Sequence, residues 1–480
     1  MILRLFRLGH PSLWIDEALT WLSAGIGGPF GTAELFENVH GPIYALLLHA
    51  WGSLAGDSEW ALRFPSAIAG AATVPAMAWL ATRWLGREVA VPAAWLTAGS
   101  PFLVWYSQEA RNYSLLVLAT VVASALMLEL RERVRPGRLA GYVLAAAVGA
   151  LSNFAFLFAL PVHVRWWFSG EGRARRLAWS LAALVVLAAV MAPWLPQAFR
   201  TWDWSRLSPG RETPSGEEAL RGSTTFHAAA VPFALYTFAV GSTLGPSLRE
   251  LRTQPAAVAV RGSVLPIVAT AAAFGVLGVL GARALRRRGR LGEALLWALP
   301  ALLIVTWFAL NNFKVFHPRY LASAFPPLLL AVAAAFADLK SGPRLALGAV
   351  VAALWAISLA HLWFVPRFGK EDYRSAMARI RSEARAGDRL IAVGADHPVD
   401  YYNRGRLPLE TLWLGFVRDP ARLDRELDRA RGAWIVLSRG EDLDPEGRFE
   451  RRLGERFPAA ERFHTEGVEV WRIPAATGTP

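Results

Sequence analysis

Long apolar blocks separated by short polar connections set the pattern of this chain. A helix needs roughly 20 apolar residues to cross a bilayer, and by that measure the blocks predict ten spans: 61–82, 89–106, 112–130, 139–152, 154–168, 177–199, 263–283, 291–310, 320–338 and 345–365. Two of these, 139–152 and 154–168, are short, and Ser152-Asn153 between them reads as a tight turn that keeps them separate. The apolar stretches 41–56 and 226–245 each lie between ends on the same face, so they are expected to lie in the interface or re-enter rather than cross. Residues 1–8, MILRLFRL, are too few to span and read as the last turns of a first helix that the chain barely contains. A cleaved signal peptide fits less well, because the apolar part is short and no small-residue cleavage site follows it.

Past residue 366 the pattern changes to charged and mixed. Short β-type runs at 390–393 and 434–437 flank a helical charge pattern from Pro420 to Arg431. The expected organisation is a membrane domain over 1–365, with a first extracytoplasmic loop at 9–60, followed by a small soluble α/β domain over 366–480. The fold class is thus an α-helical polytopic membrane protein of about ten full spans plus a truncated first one, carrying a small C-terminal extracytoplasmic α/β domain.

Composition supports a lipid-solvated chain: 54% of the 480 residues are hydrophobic and 21 are Trp. Cys is absent, which excludes disulfides, thiolate zinc sites and a cysteine nucleophile. The net charge of +13 would suggest nucleic acid in a soluble protein. Here the basic residues, almost all Arg, cluster between apolar blocks at 83–87, 131–138, 173–176, 283–290 and 340–344, all on one side of the predicted topology. By the positive-inside rule that side is cytoplasmic. The opposite face holds the segment 9–60, with six acidic residues and no Lys or Arg, the turns 107–111 and 311–319, the stretch 200–262 and the C-terminal tail. The expected location is a multi-pass membrane one, with the C-terminal domain outside the cytoplasm and membrane lipid rather than nucleic acid as the surrounding partner.

Candidate chemistry lies where ionisable residues meet the membrane on that acidic face. Asp16 and Glu17 follow Trp14-Ile15 at the start of the first loop, where semi-buried carboxylates are expensive. The commoner fate of such an Asp is to cap a helix, with Glu17 in its first turn. Ser107-Gln108-Glu109-Ala110-Arg111-Asn112-Tyr113 is a dense polar cluster where a bland connector would suffice, and its simpler reading is a capped, salt-bridged turn. Lys314, His317, Arg319 and Tyr320 surround Pro318 at a helix mouth, and interfacial snorkelling is their simpler reading. His40, taken alone, reads as a satisfied loop histidine. What raises these above their simpler readings is that separate loops deliver acids and cations to one membrane face, as a reaction on a lipid phosphate requires.

The strings LWIDEALTWLSA, HGPIYALLLHAWGSLAGDSEWALRFPSAIAG, SPFLVWYSQEARNYSLLVLA and HPRYLASAFPPLLL, in that order, resemble the bacterial members of the dolichyl-phosphate-mannose protein mannosyltransferase family. That family belongs to the GT-C class of membrane glycosyltransferases and is related to the lipid A aminoarabinose transferases. The likeness covers residues 9–130 and 310–335 well. It implies inverting transfer of a sugar from a polyprenyl-phosphate donor to an acceptor outside the cytoplasm, with Asp16 as catalytic base. Such a donor already carries a good leaving group, so the enzyme needs a carboxylate to take the acceptor proton and cations to steady the departing phosphate. Arg319, Lys314, His40 and Arg111 are the available cations, Arg319 foremost. Glu17, Gln108 and Glu109 are assigned to substrate binding, the last two orienting sugar hydroxyls or a basic partner, and Tyr113 and Tyr320 to lining the sugar pocket. The family's usual His-Pro-Pro is here His40-Gly41-Pro42, which is expected to loosen the backbone. No cofactor is expected, and no divalent metal is expected to be essential. The competing readings are a lipid or sugar transporter and a non-catalytic protein that binds lipid-linked glycans. The sugar and the acceptor, whether protein, glycolipid or polymer, are not encoded in any motif.

Overall fold

The computed structural model describes residues 1–26, 41–201, 230–247, 250–251, 254–310, 316–412, 419–438, 440, 444 and 446–474. Helices occupy every one of the ten predicted apolar segments. Six are long and apolar enough to cross a membrane unaided: Glu59–Trp84, Tyr113–Glu132, Val264–Arg287, Leu291–Leu310, Pro318–Asp338 and Ser341–Phe364. A seventh forms if the pair Arg87–Gly99 and Pro101–Ser107, bent by 54°, counts as one. The other three segments hold shorter helices. Pro136–Ser152 ends at Asn153, whose side chain caps the following turn by accepting from the Ala155 amide at 3.0 Å. The expected break at Ser152-Asn153 is therefore present. Arg173–Met191 gives way to a turn and a short helix, Leu195–Thr201, around Pro193 and Pro196.

The 54° bend has a local cause. Pro101 lacks an N–H and disfavours the helical conformation at the residue before it. Ser100 accordingly has φ −52°, ψ 116°, and its hydroxyl caps the new helix through the Leu103 amide. The redirected helix Pro101–Ser107 delivers Trp105, Tyr106 and the polar turn after it towards the end of the bundle where the first loop lies.

The stretch 41–56 holds one short helix. Its helix, Ile43–Ala55, has 13 residues and is only about 20 Å long, too short to cross. Ala230–Val240, with 11 residues, is shorter still. Gly41, however, is not a loosening element. A Cβ added there would lie 1.9 Å from the Leu151 carbonyl oxygen, so the glycine allows two backbones to touch. Gly41→Ala is expected to push the entry of this helix off Leu151 and cost about 1–3 kcal/mol, visible as a lowered unfolding temperature of the purified protein. An unchanged midpoint would contradict the close packing.

The C-terminal region forms a five-stranded sheet, β1 (Arg389–Val393), β2 (Leu409–Leu412), β3 (Ala433–Ser438), β4 (Glu461–Thr465) and β5 (Val468–Arg472), in the order β2-β1-β3-β5-β4. Both predicted runs became strands, β1 and β3, paired in parallel with Ile391 opposite Ile435. The predicted helix is Pro420–Arg429. With Arg448–Arg456 it covers one face of the sheet through Leu423, Leu427, Phe449 and Leu453. The other face does not close on itself. Leu390, Ala392, Trp434, Val436 and Val470, with Tyr373, Met377 and Ile380, share one apolar core with Leu13, Ala24, Tyr44, Leu48 and Leu62 of the first loop and its flanks. Polar clamps reinforce the contact. The Tyr402 hydroxyl accepts from the Leu13 amide at 2.9 Å, and Arg374 donates to Glu59 and to the carbonyls of Gly9, His10 and Pro11.

At the other end of the bundle the basic connections are tied by carboxylates. Glu129 takes Arg83 and Arg138, Glu293 takes Arg290 and the Trp84 indole, and Asp338 takes Arg288.

Candidate functional site

The helix Ile15–Ala24 begins with Trp14 as its cap residue, and Gly25 ends it in the left-handed conformation at φ 59°. Asp16 is therefore inside the first turn rather than capping it. Negative charge is favoured there by the helix dipole. Successive helical residues point about 100° apart, so the adjacent carboxylates cannot share an environment. Asp16 faces a cavity, whereas Glu17 turns into the protein.

Glu17 is fully buried, with each oxygen receiving a strong donor. Arg63 binds it bidentately, with Nε to Oε1 and Nη2 to Oε2 both at 2.8 Å. The Ala110 amide adds 2.8 Å to Oε1, and Lys370 Nζ adds 3.0 Å to Oε2. Burial alone would raise the carboxyl's pKa, but the Arg63 and Lys370 charges and these hydrogen bonds reverse that and hold it at about 2. Arg63 spends its remaining donors on the carbonyls of Leu8, Pro11 and Ser12. Glu17 is thus the fastening point of the loop that presents Asp16. Glu17 does not line the cavity, and both of its oxygens are taken up by protein donors.

Asp16 Oδ2 accepts from Arg319 Nη1 at 2.7 Å, with side chains 23% and 19% exposed respectively. Arg319 projects from the turn Pro318–Ala324, which is fixed because His317 Nδ1 accepts the Arg319 amide at 3.2 Å. Its guanidinium lies 5.2–5.9 Å from the ring centres of Tyr320, Tyr113 and Trp14, an aromatic collar suited to a weakly hydrated cation. Glu109 is the second cavity carboxyl. Its Oε1 accepts from the Trp105 indole at 2.9 Å, its Oε2 is buried without a hydrogen-bond partner, and burial raises its pKa.

The cavity encloses about 250 Å³ and is lined by Trp14, Asp16, Trp105, Tyr106, Glu109 and Arg319 on the membrane side. Arg367 to Glu371 and the Glu466-Gly467 turn between β4 and β5 line its other wall. Of the residues expected to form the site, Asp16, Glu109, His317 and Arg319 line this space, and Glu17, Gln108, Arg111, Tyr113 and Tyr320 do not. Arg111 is buried behind Asp16, donating to its carbonyl at 3.0 Å and to Thr20 Oγ1 at 2.8 Å. These bonds hold the backbone of Asp16. The Gln108 amide nitrogen bonds the Phe6 carbonyl at 2.7 Å, and its oxygen accepts from Trp363 at 3.0 Å, so it ties the N-terminus and the last long helix together rather than meeting a sugar. Tyr113 and Tyr320 pack around Arg319 instead of forming the wall. His40 and Lys314 lie outside the described residues. Lys370 was missed. It is one of three Lys in an Arg-dominated chain and stands just past the last span on the expected side, a signal available in the sequence. Among the described residues, no group of three acidic or imidazole side chains is placed to hold a metal ion.

Helices of this length and apolarity, with the polar turns gathered at one end against a small sheet, mark the class of polytopic α-helical membrane proteins. Within that class, residues 39–197 match the family model for dolichyl-phosphate-mannose-protein mannosyltransferase, and the resemblance read from the sequence strings is to that same family and to the aminoarabinose transferases. No curated protein matches the chain significantly. Among solved structures, ArnT from Cupriavidus metallidurans in the apo state superposes with a TM-score of 0.59 at 14% identity, covering 98% of this chain and 95% of that one. The same protein bound to undecaprenyl phosphate gives 0.60 at 15% identity, covering 100% and 97%. The archaeal oligosaccharyltransferase AglB from Archaeoglobus fulgidus, in complex with an inhibitory peptide and a dolichol-phosphate, gives 0.54 at 11% identity, covering 100% and 74%. At these identities the likeness is one of fold.

Proposed function

We propose that this protein transfers a sugar from a polyprenyl-phosphate donor to an acceptor hydroxyl or amine, with inversion, at the extracytoplasmic face of the membrane. The observation that carries this reading is the meeting of Asp16 and Arg319, 2.7 Å apart, in one cavity at the end of the bundle. A base for the acceptor and a cation for the leaving phosphate are the two groups such a transfer needs.

In the reaction, the acceptor oxygen or nitrogen attacks the anomeric carbon as Asp16 takes its proton. The bond from the anomeric carbon to the phosphate oxygen breaks, and that oxygen keeps the electron pair. A single displacement uses one carboxylate and inverts the anomeric centre. The donor is a singly charged phosphodiester, whereas the released polyprenyl phosphate gains most of a second charge near neutral pH. Arg319 therefore meets more negative charge as the bond breaks, which is what lowers the barrier. Its present partner is Asp16. A donor phosphate that takes over the guanidinium would leave Asp16 free to act as base.

The extracytoplasmic placement is supported by the Arg-rich connections at the opposite end of the bundle. We take all ten apolar segments as spans, with the sheet region on the same face as the cavity. His40 and Lys314 enter this reading through the family resemblance, as further cations. Divalent metal is taken to be dispensable. The test offers the purified protein a panel of polyprenyl-phosphate sugars, with and without EDTA, and follows which donor is consumed. Consumption of one donor, insensitive to EDTA, is expected. Binding of donors without consumption of any, in the presence of an acceptor extract, would favour a lipid-linked glycan binding protein instead.

A further inference from the structure

Lys370 has no role in the motifs, yet it projects into the cavity from the segment that joins the last long helix to the sheet. Its side chain is 12% exposed. One of its three N–H donors is committed, to Glu17 Oε2 at 3.0 Å. Glu109 Oε1 stands at 3.6 Å, within reach of the charge but beyond a hydrogen bond. The ammonium also lies 5.8 Å from the ring centre of Trp14, the same ring that Arg319 approaches at 5.9 Å. Two cations from distant parts of the chain thus lie within 6 Å of the centre of one cavity-lining indole.

A purely structural purpose does not account for this arrangement. Glu17 is already neutralised and hydrogen-bonded by Arg63 and the Ala110 amide without Lys370. Glu109, the other carboxyl nearby, is left with a buried oxygen that has no partner, so it is not the object of a well-made ion pair. What the position does provide is an ammonium with two uncommitted donors at the wall of a cavity that contains Arg319. An anionic group lodged beside Trp14 would stand near both charges.

We propose that Lys370 is a second cation for the phosphate of the polyprenyl donor, acting with Arg319. The proposal rests on the reading of this cavity as the donor site. It assigns to the connector after the last helix a direct part in binding the donor headgroup.

The test compares binding of undecaprenyl phosphate and of the neutral alcohol undecaprenol to the full-length protein in nanodiscs. The ratio of the two affinities isolates what the phosphate contributes. Lys370→Met should reduce that ratio about tenfold or more, as expected for loss of a charge-assisted hydrogen bond, while Lys370→Arg keeps most of it. If Lys370 only braced Glu17, both ligands would weaken together and the ratio would stay at its wild-type value. That outcome overturns the proposal and leaves the donor-site reading intact. A wild-type protein that does not prefer the phosphate to the alcohol would overturn both. A measurement on the unaltered protein guards against a variant that fails to fold. With three Lys in the chain, acylation of Lys370 by an amine reagent can be followed by mass spectrometry. Undecaprenyl phosphate should slow it and undecaprenol should not, and equal rates with both lipids would also overturn the proposal.

Discussion

Asp16→Asn should lower sugar transfer by about 10²–10⁴-fold, the usual contribution of a positioned general base, and leave donor binding intact. The amide is nearly the same size and its oxygen can still accept from Arg319, so the cavity keeps its shape. What it loses is the capacity to take the acceptor's proton. In the free protein Arg319 is paired with Asp16 at 2.7 Å, and binding of the donor has to compete with that pairing. Removing the negative charge should therefore hold donor affinity constant or increase it even as turnover collapses. The measurement is a rate of donor consumption alongside a direct binding titration. Turnover at the wild-type rate would remove Asp16 from the chemistry, and parallel loss of binding and turnover would make it a structural residue.

Breaking the pair behind it should have the largest effect on stability. Arg63→Met leaves Glu17 charged and buried and strips a donor from the carbonyls of Leu8, Pro11 and Ser12. Removal of one partner of a buried ion pair costs about 3–5 kcal/mol, so the variant should unfold at a distinctly lower temperature. It should also lose transfer, although Arg63 lines no part of the cavity, because the loop carrying Asp16 is held through Glu17. Glu17 adds a pH signature. Its carboxyl is held at about 2, below its ordinary 4.5. A depressed carboxylate stabilises the fold fully above the unfolded value, and that contribution is lost as pH falls from about 4.5 towards 2. Wild-type protein should therefore lose stability across that interval, and the Glu17→Gln variant should show a shallower dependence there. Identical acid profiles for the two proteins would argue against the pair as the fastening point.

Much of the architecture was legible because apolar length is set by the bilayer and by helix rise, both of which act locally along the chain. Every predicted apolar segment is helical, and the two strands read from β-branched runs are present. Three segments hold shorter helices, interrupted by prolines and turns that redirect the chain. The site was legible only as far as its residues are close in sequence. Asp16, Glu109 and Arg319, each marked by its own loop, come together at the cavity. Glu17 was given a substrate role because a sequence does not say which of two adjacent helical carboxylates faces inward. Gln108, Arg111, Tyr113 and Tyr320 are polar or aromatic groups at the correct end of the bundle whose partners turned out to be protein. Lys370 is marked in the sequence only as a rare Lys just past the last span; its meeting with Glu17, 353 positions away, is encoded by no local pattern. Gly41 was read as slack, while its neighbour Leu151, on another helix, requires the absence of a side chain.

The apolar core shared by the sheet and the first loop bears on how this protein can be recombined. A C-terminal region exchanged from a relative would arrive without a complement to Leu13, Ala24, Tyr44, Leu48 and Leu62. It would also bring a different wall to the cavity opposite Asp16. A functional chimaera should therefore need the donor's first loop together with its C-terminal region, grafted as a single inherited unit onto the remaining helices.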